Sequence, residues 1–480
     1  MLILKKRYYP FSWLLGNLLI LSIFYEEYQS LSYTSQMIVL LLKSHYEGFR
    51  LNIFFYALSL LLDVCRLKIL SLVAIILYFY LTHKLNNYHL PDGGSPVGHL
   101  HLKGGILNDY KHIPEMAIYY PASIEDCKKR KKGFKWLKVK DYAKKMDDTA
   151  KKDVRRKRRV PYLFFKIVVS QFYKFMINVY ENAQIDINFA ETSTNLAKFS
   201  VIVLSHGLAS HCDGYSVVAR YLAQQGHIVF VPEHIENIRN IYLTNEENRE
   251  YRKVQLLDRI NTVKQVLDII YNEKLFSELF KHPDKKIQPD FDQISIIGHS
   301  FGGSTAYAIA QTEKRITGAC ILYDPCLYIF DFEEKVKLHI PLMSINADDF
   351  YRRLYSFMEN DERLEKAFQL IDGPISDHCA NIYIKDQQHA DFSDIPIIWN
   401  GESGLYSISK NVHEVHLRFG MILLLTKIFL EESKQYHKIK HNKQMINGNE
   451  ELKSIILKEV ERSFGAQRLK LLRWKAVQNE

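Results

Sequence analysis

The sequence predicts an α/β fold with a mostly parallel central sheet, preceded by N-terminal transmembrane helices. Three observations carry that prediction. Short runs rich in Val, Ile, Leu and Tyr alternate with helical patterns from about residue 115 onward. The pentapeptide Gly298-His299-Ser300-Phe301-Gly302 lies between one such run and one such helix. Four apolar runs crowd the first 82 residues.

Length and composition limit the possible classes of protein. The chain has 480 residues, 47% hydrophobic and 25% charged. That excludes wholesale disorder, a collagen-like repeat and a small disulfide scaffold. Lys plus Arg number 64 against 54 for Asp plus Glu, a formal charge of +10. Such an excess suits an anionic surface but does not choose between membrane and nucleic acid. The six cysteines are Cys65, Cys127, Cys212, Cys320, Cys326 and Cys379. None forms a C-x-x-C pair, and no His cluster accompanies them at zinc-ligand spacing, so they read as buried thiols in a reducing compartment. No metal or cofactor is expected.

The apolar runs are Phe11 to Tyr25, Leu31 to Leu42, Leu51 to Leu62 and Ile69 to Thr82. Each is shorter than the ~20 residues of a straight span. Four in succession are nevertheless hard to place in a soluble core. A cleaved signal peptide would explain the first, but no small-x-small cleavage site follows it. Residues 1–84 are therefore read as a multi-pass membrane region. Lys5, Lys6 and Arg7 favour a cytosolic amino terminus. Four spans would leave the catalytic domain in the cytosol, and three on the other side.

Seventeen of the 32 residues from Lys128 to Arg159 are Lys or Arg. No nucleic-acid fold surrounds this stretch, so no nucleic-acid partner is expected. It reads first as a solvated insertion and second as a membrane-surface contact, with Phe134 and Trp136 at headgroup level.

The β-rich runs are Ala117–Tyr120, Phe199–Leu204, Ile228–Pro232, Gln293–Gly298, Ala319–Tyr323, Ile340–Ile345 and Asn381–Ile384. They lack strict polar alternation, as strands buried on both faces do. Helical patterns at Tyr215–Gln225, Leu256–Tyr271 and Phe301–Thr312 connect them. The long stretch from Asn237 to Phe291 reads as helical cover over a substrate mouth. Residues 431–480 read as a charged extension with one amphipathic helix around Leu452–Phe464.

The motif Gly298-His299-Ser300-Phe301-Gly302 has an apolar strand before it and a helix after it. That context turns a common pentapeptide into the nucleophile elbow of α/β-hydrolases. The turn is so tight that side chains two residues either side of the Ser would clash. The helix after the turn aims free N–H groups at the Ser region.

An acyl-transfer site also needs oxyanion donors, a base and an acid. Phe301 N–H, next after the nucleophile, is one donor. The loop Ser205-His206-Gly207-Leu208 is a variant of the HGGG-type loop, with Leu208 N–H the second donor and His206 a brace. His389 follows the last strand, where such hydrolases place the base. His378, His413 and His416 are alternatives, while His299 points the wrong way. For the acid, Asp324 follows the strand after the elbow helix and Asp348 and Asp349 follow the next strand. Spacing leaves these even.

These residues resemble the platelet-activating-factor acetylhydrolases of the plasma and intracellular type II kind, over roughly residues 90 to 430. The similarity runs through Gly94-Ser95-Pro96-Val97-Gly98, Ile118-Tyr119-Tyr120-Pro121, Ser205-His206-Gly207-Leu208 and Val231-Pro232-Glu233-His234. It continues through Gly298-His299-Ser300-Phe301-Gly302-Gly303, Tyr323-Asp324-Pro325 and His389-Ala390-Asp391-Phe392-Ser393-Asp394. The resemblance implies a calcium-independent serine esterase that removes short or oxidised sn-2 acyl groups from phospholipids. It implies Asp324 as the acid, beside Ser300 and His389, and Leu208 and Phe301 as the oxyanion donors. The family usually has Trp where this chain has Cys326. Two rivals stand beside this expectation: a membrane-anchored carboxylesterase or lipase of other specificity, and a non-catalytic hydrolase-fold binding protein.

Overall fold

The computed structural model describes residues 94–107, 110–135, 176–234, 246–330, 338–347, 378–398, 412–441, 448–466, 469 and 472–474. The strands are β1 (Val97–Leu102), β2 (Gly105–Leu107), β3 (Tyr110–Ile113), β4 (Met116–Pro121), β5 (Lys132–Lys135), β6 (Met176–Glu181) and β7 (Glu191–Thr192). They continue with β8 (Leu196–Ser205), β9 (Ile228–Pro232), β10 (Lys286–His299), β11 (Cys320–Tyr323), β12 (Leu342–Ala347), β13 (Cys379–Ile384) and β14 (Leu472–Trp474). The longer helices are α1 (Ser216–Gln224), α2 (Glu246–Tyr271), α3 (Glu273–Leu279), α4 (Phe301–Thr312), α5 (Val412–His441) and α6 (Gly448–Phe464).

One large sheet organises these elements, in the order β14-β13-β12-β11-β10-β8-β9-β4-β1-β6-β5, with β7 paired to β8. The six strands from β9 to β13 through β8 and β10 are parallel. Antiparallel pairs lie toward both edges. After β8 the chain crosses to β9 on one side, then returns to β10 on the other. The sheet therefore has a topological switch point between β8 and β10, and the crevice outside their carboxyl ends is where open α/β sheets bind ligands.

Both sheet faces are dry. Ile202 and Leu204 of β8 point into one core with α1, α5 and α6, while Val201 and Val203 point into the other with α2, α3 and α4. The same split divides Val229 and Val231 of β9 from Ile228 and Phe230. This is why the strands carry no polar alternation: side chains alternate between two apolar layers rather than between core and water.

The structure corrects two expectations. No helix among the described residues is long and apolar enough to cross a membrane. The N-terminal transmembrane helices and the multi-pass membrane localisation are set aside on that finding; the four apolar runs fall on residues 1–93, outside the described residues. The cause lies in the type of signal. Each run falls short of a full span, and an apolar run of that length is equally the signature of a buried helix.

Elsewhere the structure adds elements. Part of the basic stretch is ordered, since β5 pairs with β6 and buries Phe134; Trp136 lies outside the described residues. Within 431–480, α6 buries Leu452, Ile456 and Val460 in the core, and β14 pairs with β13.

Candidate active site

The elbow is built from backbone crowding. Ser300 ends the strand–helix turn at φ 56° and ψ −120°, a conformation L-residues rarely adopt. A Cβ on Gly298 would stand 2.0 Å from the Gly302 carbonyl oxygen, and one on Gly302 would stand 2.1 Å from that of Ser205. Both distances are far inside van der Waals contact, so only glycine fits at either position. The Ser300 N–H donates to Tyr323 O at 2.9 Å, which ties the turn to β11.

His389 stands on a single 3-10 turn, His389–Phe392, after β13. Its Nε2 accepts from Ser300 Oγ at 2.8 Å, and its Nδ1–H donates to Asp324 Oδ2 at 2.6 Å. Asp324 lies at the carboxyl end of β11, fully buried, and its Oδ1 accepts from Ala347 N at 3.1 Å. Because a carboxylate only accepts, it sets the His389 tautomer with the proton on Nδ1 and leaves Nε2 facing the serine. Burial lowers the His389 pKa to about 3, and burial also pushes Asp324 up against the opposing pull of the Ala347 N–H. A neutral imidazole beside a serine hydroxyl is the resting state a general base needs.

The second wall is the loop after β8. A Cβ on Gly207 would lie 3.4 Å from Ser300 Cβ, so this loop abuts the nucleophile. Two groups hold its carbonyls. Arg259 of α2 donates to His206 O at 2.5 Å and to Gly207 O at 3.4 Å, and His206 Nδ1–H donates to Gly207 O at 2.8 Å. In a trans peptide the N–H points opposite to the C=O. Tying back the Gly207 carbonyl therefore turns Leu208 N–H the other way. Phe301 is the first residue of α4, so its N–H has no intrahelical acceptor.

His299 links the two walls. Its Nε2–H donates to the carbonyl of His389 at 2.9 Å, and its Nδ1 accepts from Tyr215 OH at 2.5 Å. Tyr215 OH in turn accepts from Gly207 N at 3.1 Å. Burial drives the His299 pKa well below its usual value. One neutral imidazole thus spans from the His389 backbone to the Gly207 loop. Asp394 adds a second tie: its carboxylate accepts from Ser216 N at 2.8 Å, Ser216 Oγ at 2.5 Å and Val217 N at 3.0 Å. It caps α1 from 178 residues away.

The sequence-derived candidates therefore separate cleanly. Ser300, His389 and Asp324 come together, with Leu208 and Phe301 beside them. His378 precedes β13, at the opposite end of the strand from the site, where its carbonyl accepts from Leu342 N. The side chains of His413 and His416, and Asp348 and Asp349, lie outside the described residues. Sequence reasoning missed Arg259, Tyr215 and Asp394. Arg259 is 53 residues from its acceptor; its one signal is that a buried Arg must find acceptors. Next to Ser300 Oγ, at 3.6 Å, is Cys326 Sγ. Cys326 joins Leu208, Phe301, Leu256, Ile329 and Phe330 in a small apolar cluster.

The sheet with its switch-point serine elbow places the protein in the α/β-hydrolase class. Residues 93–241 and 235–447 match the family "Platelet-activating factor acetylhydrolase, isoform II", and the chain belongs to that family. It is 28% identical over 200 residues to the platelet-activating factor acetylhydrolase of Bos taurus, covering 36% of this chain and 44% of that protein. The Canis lupus familiaris protein of the same name is 26% identical over the same shares. The chain thus matches under half the length of these curated relatives. Among solved structures, a ferulic acid esterase from Streptomyces cinnamoneus matches with a TM-score of 0.43 and 14% identity, over 70% of this chain and 89% of that one.

Proposed function

We propose that the protein is a serine esterase that hydrolyses short or oxidised sn-2 acyl groups of phospholipids through an acyl-enzyme. The observation that carries this reading is the continuous line Asp324–His389–Ser300, with bonds of 2.6 and 2.8 Å, ending beside the braced Gly207–Leu208 loop. Ser300 Oγ attacks the ester carbonyl while its proton passes to His389 Nε2. Asp324 stabilises the imidazolium that forms, and the N–H groups of Leu208 and Phe301 take the oxyanion. Collapse expels the lysophospholipid oxygen, which recovers the proton from His389. Water then repeats the sequence on the acyl-enzyme and frees Ser300. The apolar cluster around Cys326 is the candidate acyl wall.

The test is labelling of the full-length chain with a fluorophosphonate probe, wild type against Ser300→Ala, followed by an sn-2 acyl-length series on phosphatidylcholines. Labelling of wild type alone, with turnover falling as the chain lengthens, is the expected result. Turnover that rises with acyl length would replace this reading with a lipase of other specificity. Folded wild type that takes no label would leave a non-catalytic binding protein.

A further inference from the structure

The loop 206–215 between β8 and α1 carries two groups that ester chemistry leaves unused, Cys212 and Asp213. Facing them from β1 are His99 and His101, which lie two residues apart and so point to the same sheet face. One ligand atom from each of His101, Cys212 and Asp213 lies within 4.8 Å of the others. His101 Nδ1 and Cys212 Sγ are each 4.0 Å from Asp213 Oδ2. The His101 and Asp213 side chains are 7% and 4% exposed, and Cys212 is 4% exposed.

The atoms turned away from this point are already held. His101 Nε2 pairs with Glu115 Oε1 at 3.0 Å. Asp213 Oδ1 accepts from Tyr119 OH at 2.6 Å and from His99 Nε2 at 3.3 Å. Cys212 N donates to Glu233 Oε2 at 2.8 Å. His101 Nδ1, by contrast, is buried with no hydrogen-bond partner among the described residues. With its Nε2 proton given to Glu115, Nδ1 carries a lone pair, and that lone pair is aimed at a carboxylate oxygen and a sulfur. The Cys212 thiol donates to Asp213 Oδ2 across a long 4.0 Å contact; once that proton is lost, three electron donors converge on one buried point, an arrangement that a cation resolves. A carboxylate behind a ligating imidazole is also the usual outer support of a metal site.

We propose that His101, Cys212 and Asp213 form a zinc site. A mixed N, S and O donor set suits this borderline-soft ion. Bonds of about 2.0–2.3 Å put the ligand atoms of a tetrahedral shell about 3.3–3.8 Å apart, so each of the three pairs closes by about 1.5 Å or less. The ion staples β1 to the loop that runs from the Leu208 N–H to Tyr215. It is a structural site, separate from Ser300.

The test is metal analysis of the full-length chain purified from zinc-supplemented cells, with cobalt substitution. The expected results are about one zinc per chain and a cobalt–thiolate charge-transfer band that Cys212→Ser abolishes. Glu115→Gln keeps all the ligands and should weaken zinc affinity about 10–100-fold. It also supplies a readout if Cys212→Ser fails to fold. Trace zinc with no cobalt–thiolate band, a band that survives Cys212→Ser, or unchanged zinc affinity in Glu115→Gln would each overturn the site. Ser300→Ala should retain zinc in full, which separates this site from the ester chemistry.

Discussion

In the proposed mechanism His389 must be neutral to act as a base, and burial lowers its pKa to about 3. A free imidazole titrates near ~6.5. The acid limb of the fluorophosphonate labelling rate should therefore lie clearly below pH 6.5; a midpoint at or above that value would count against the assignment. Asp324→Asn removes the acceptor that sets the tautomer, and kcat should fall about 10⁴-fold with KM little changed. Cys326 sits 3.6 Å from the nucleophile, where the family resemblance leads one to expect Trp. Cys326→Trp should shrink the space beside Ser300 and lower kcat/KM for longer acyl chains more than for acetyl. Ser300 and the Gly207–Leu208 loop were legible because each stands in a local pattern of strand, Gly-rich turn and helix. Arg259 and the Tyr215–His299 bond were not, because those partners lie 52 to 84 residues apart in the chain and neither residue type marks its target.

At the scale of elements, two ties fix the site's geometry. The elbow's tightness makes Gly302 irreplaceable: Ala there meets the Ser205 carbonyl at 2.1 Å. Gly302→Ala should destabilise the chain by about 3 kcal/mol in chemical denaturation, at the upper end of overpacking costs, because the contact is with backbone that cannot shift cheaply. Asp394 caps α1 from the base's own loop, so Asp394→Ala removes a cap and strands buried donors. A loss of about 2–4 kcal/mol in the same assay is expected, with labelling of Ser300 slowed because the His389 turn loosens. The pH dependence of stability comes from the same buried rings. His299 and His389 have folded pKa values below those of the unfolded chain. Their contribution is therefore full above about pH 6.5 and is lost as pH falls below it, since the unfolded chain then binds more protons. Denaturation midpoints measured from pH 7 to 5 should decline.

Over the whole molecule, the parallel sheet joins segments that composition set apart. The charged C-terminal segment contributes Leu452, Ile456 and Val460 to the core on one sheet face. Ile456 is fully buried, and Ile456→Ala should cost about 2–5 kcal/mol on denaturation; a surface appendage would lose almost nothing. The α/β class, seven of the strands, the elbow serine and a late histidine were set by the sequence alone. Strand burial, strained turns and helix periods are short-range constraints, and each is written within a few adjacent residues. Spacing left Asp324 and the later aspartates even and only the family resemblance singled out Asp324; the tertiary structure puts its carboxylate 2.6 Å from the His389 ring, through strand order. It likewise decided that α6 is core rather than surface, and that His101 meets Cys212 and Asp213. These are contacts between positions 65 to more than 100 residues apart. No local pattern encodes such a meeting, because it is fixed by sheet register and by which face each strand turns inward.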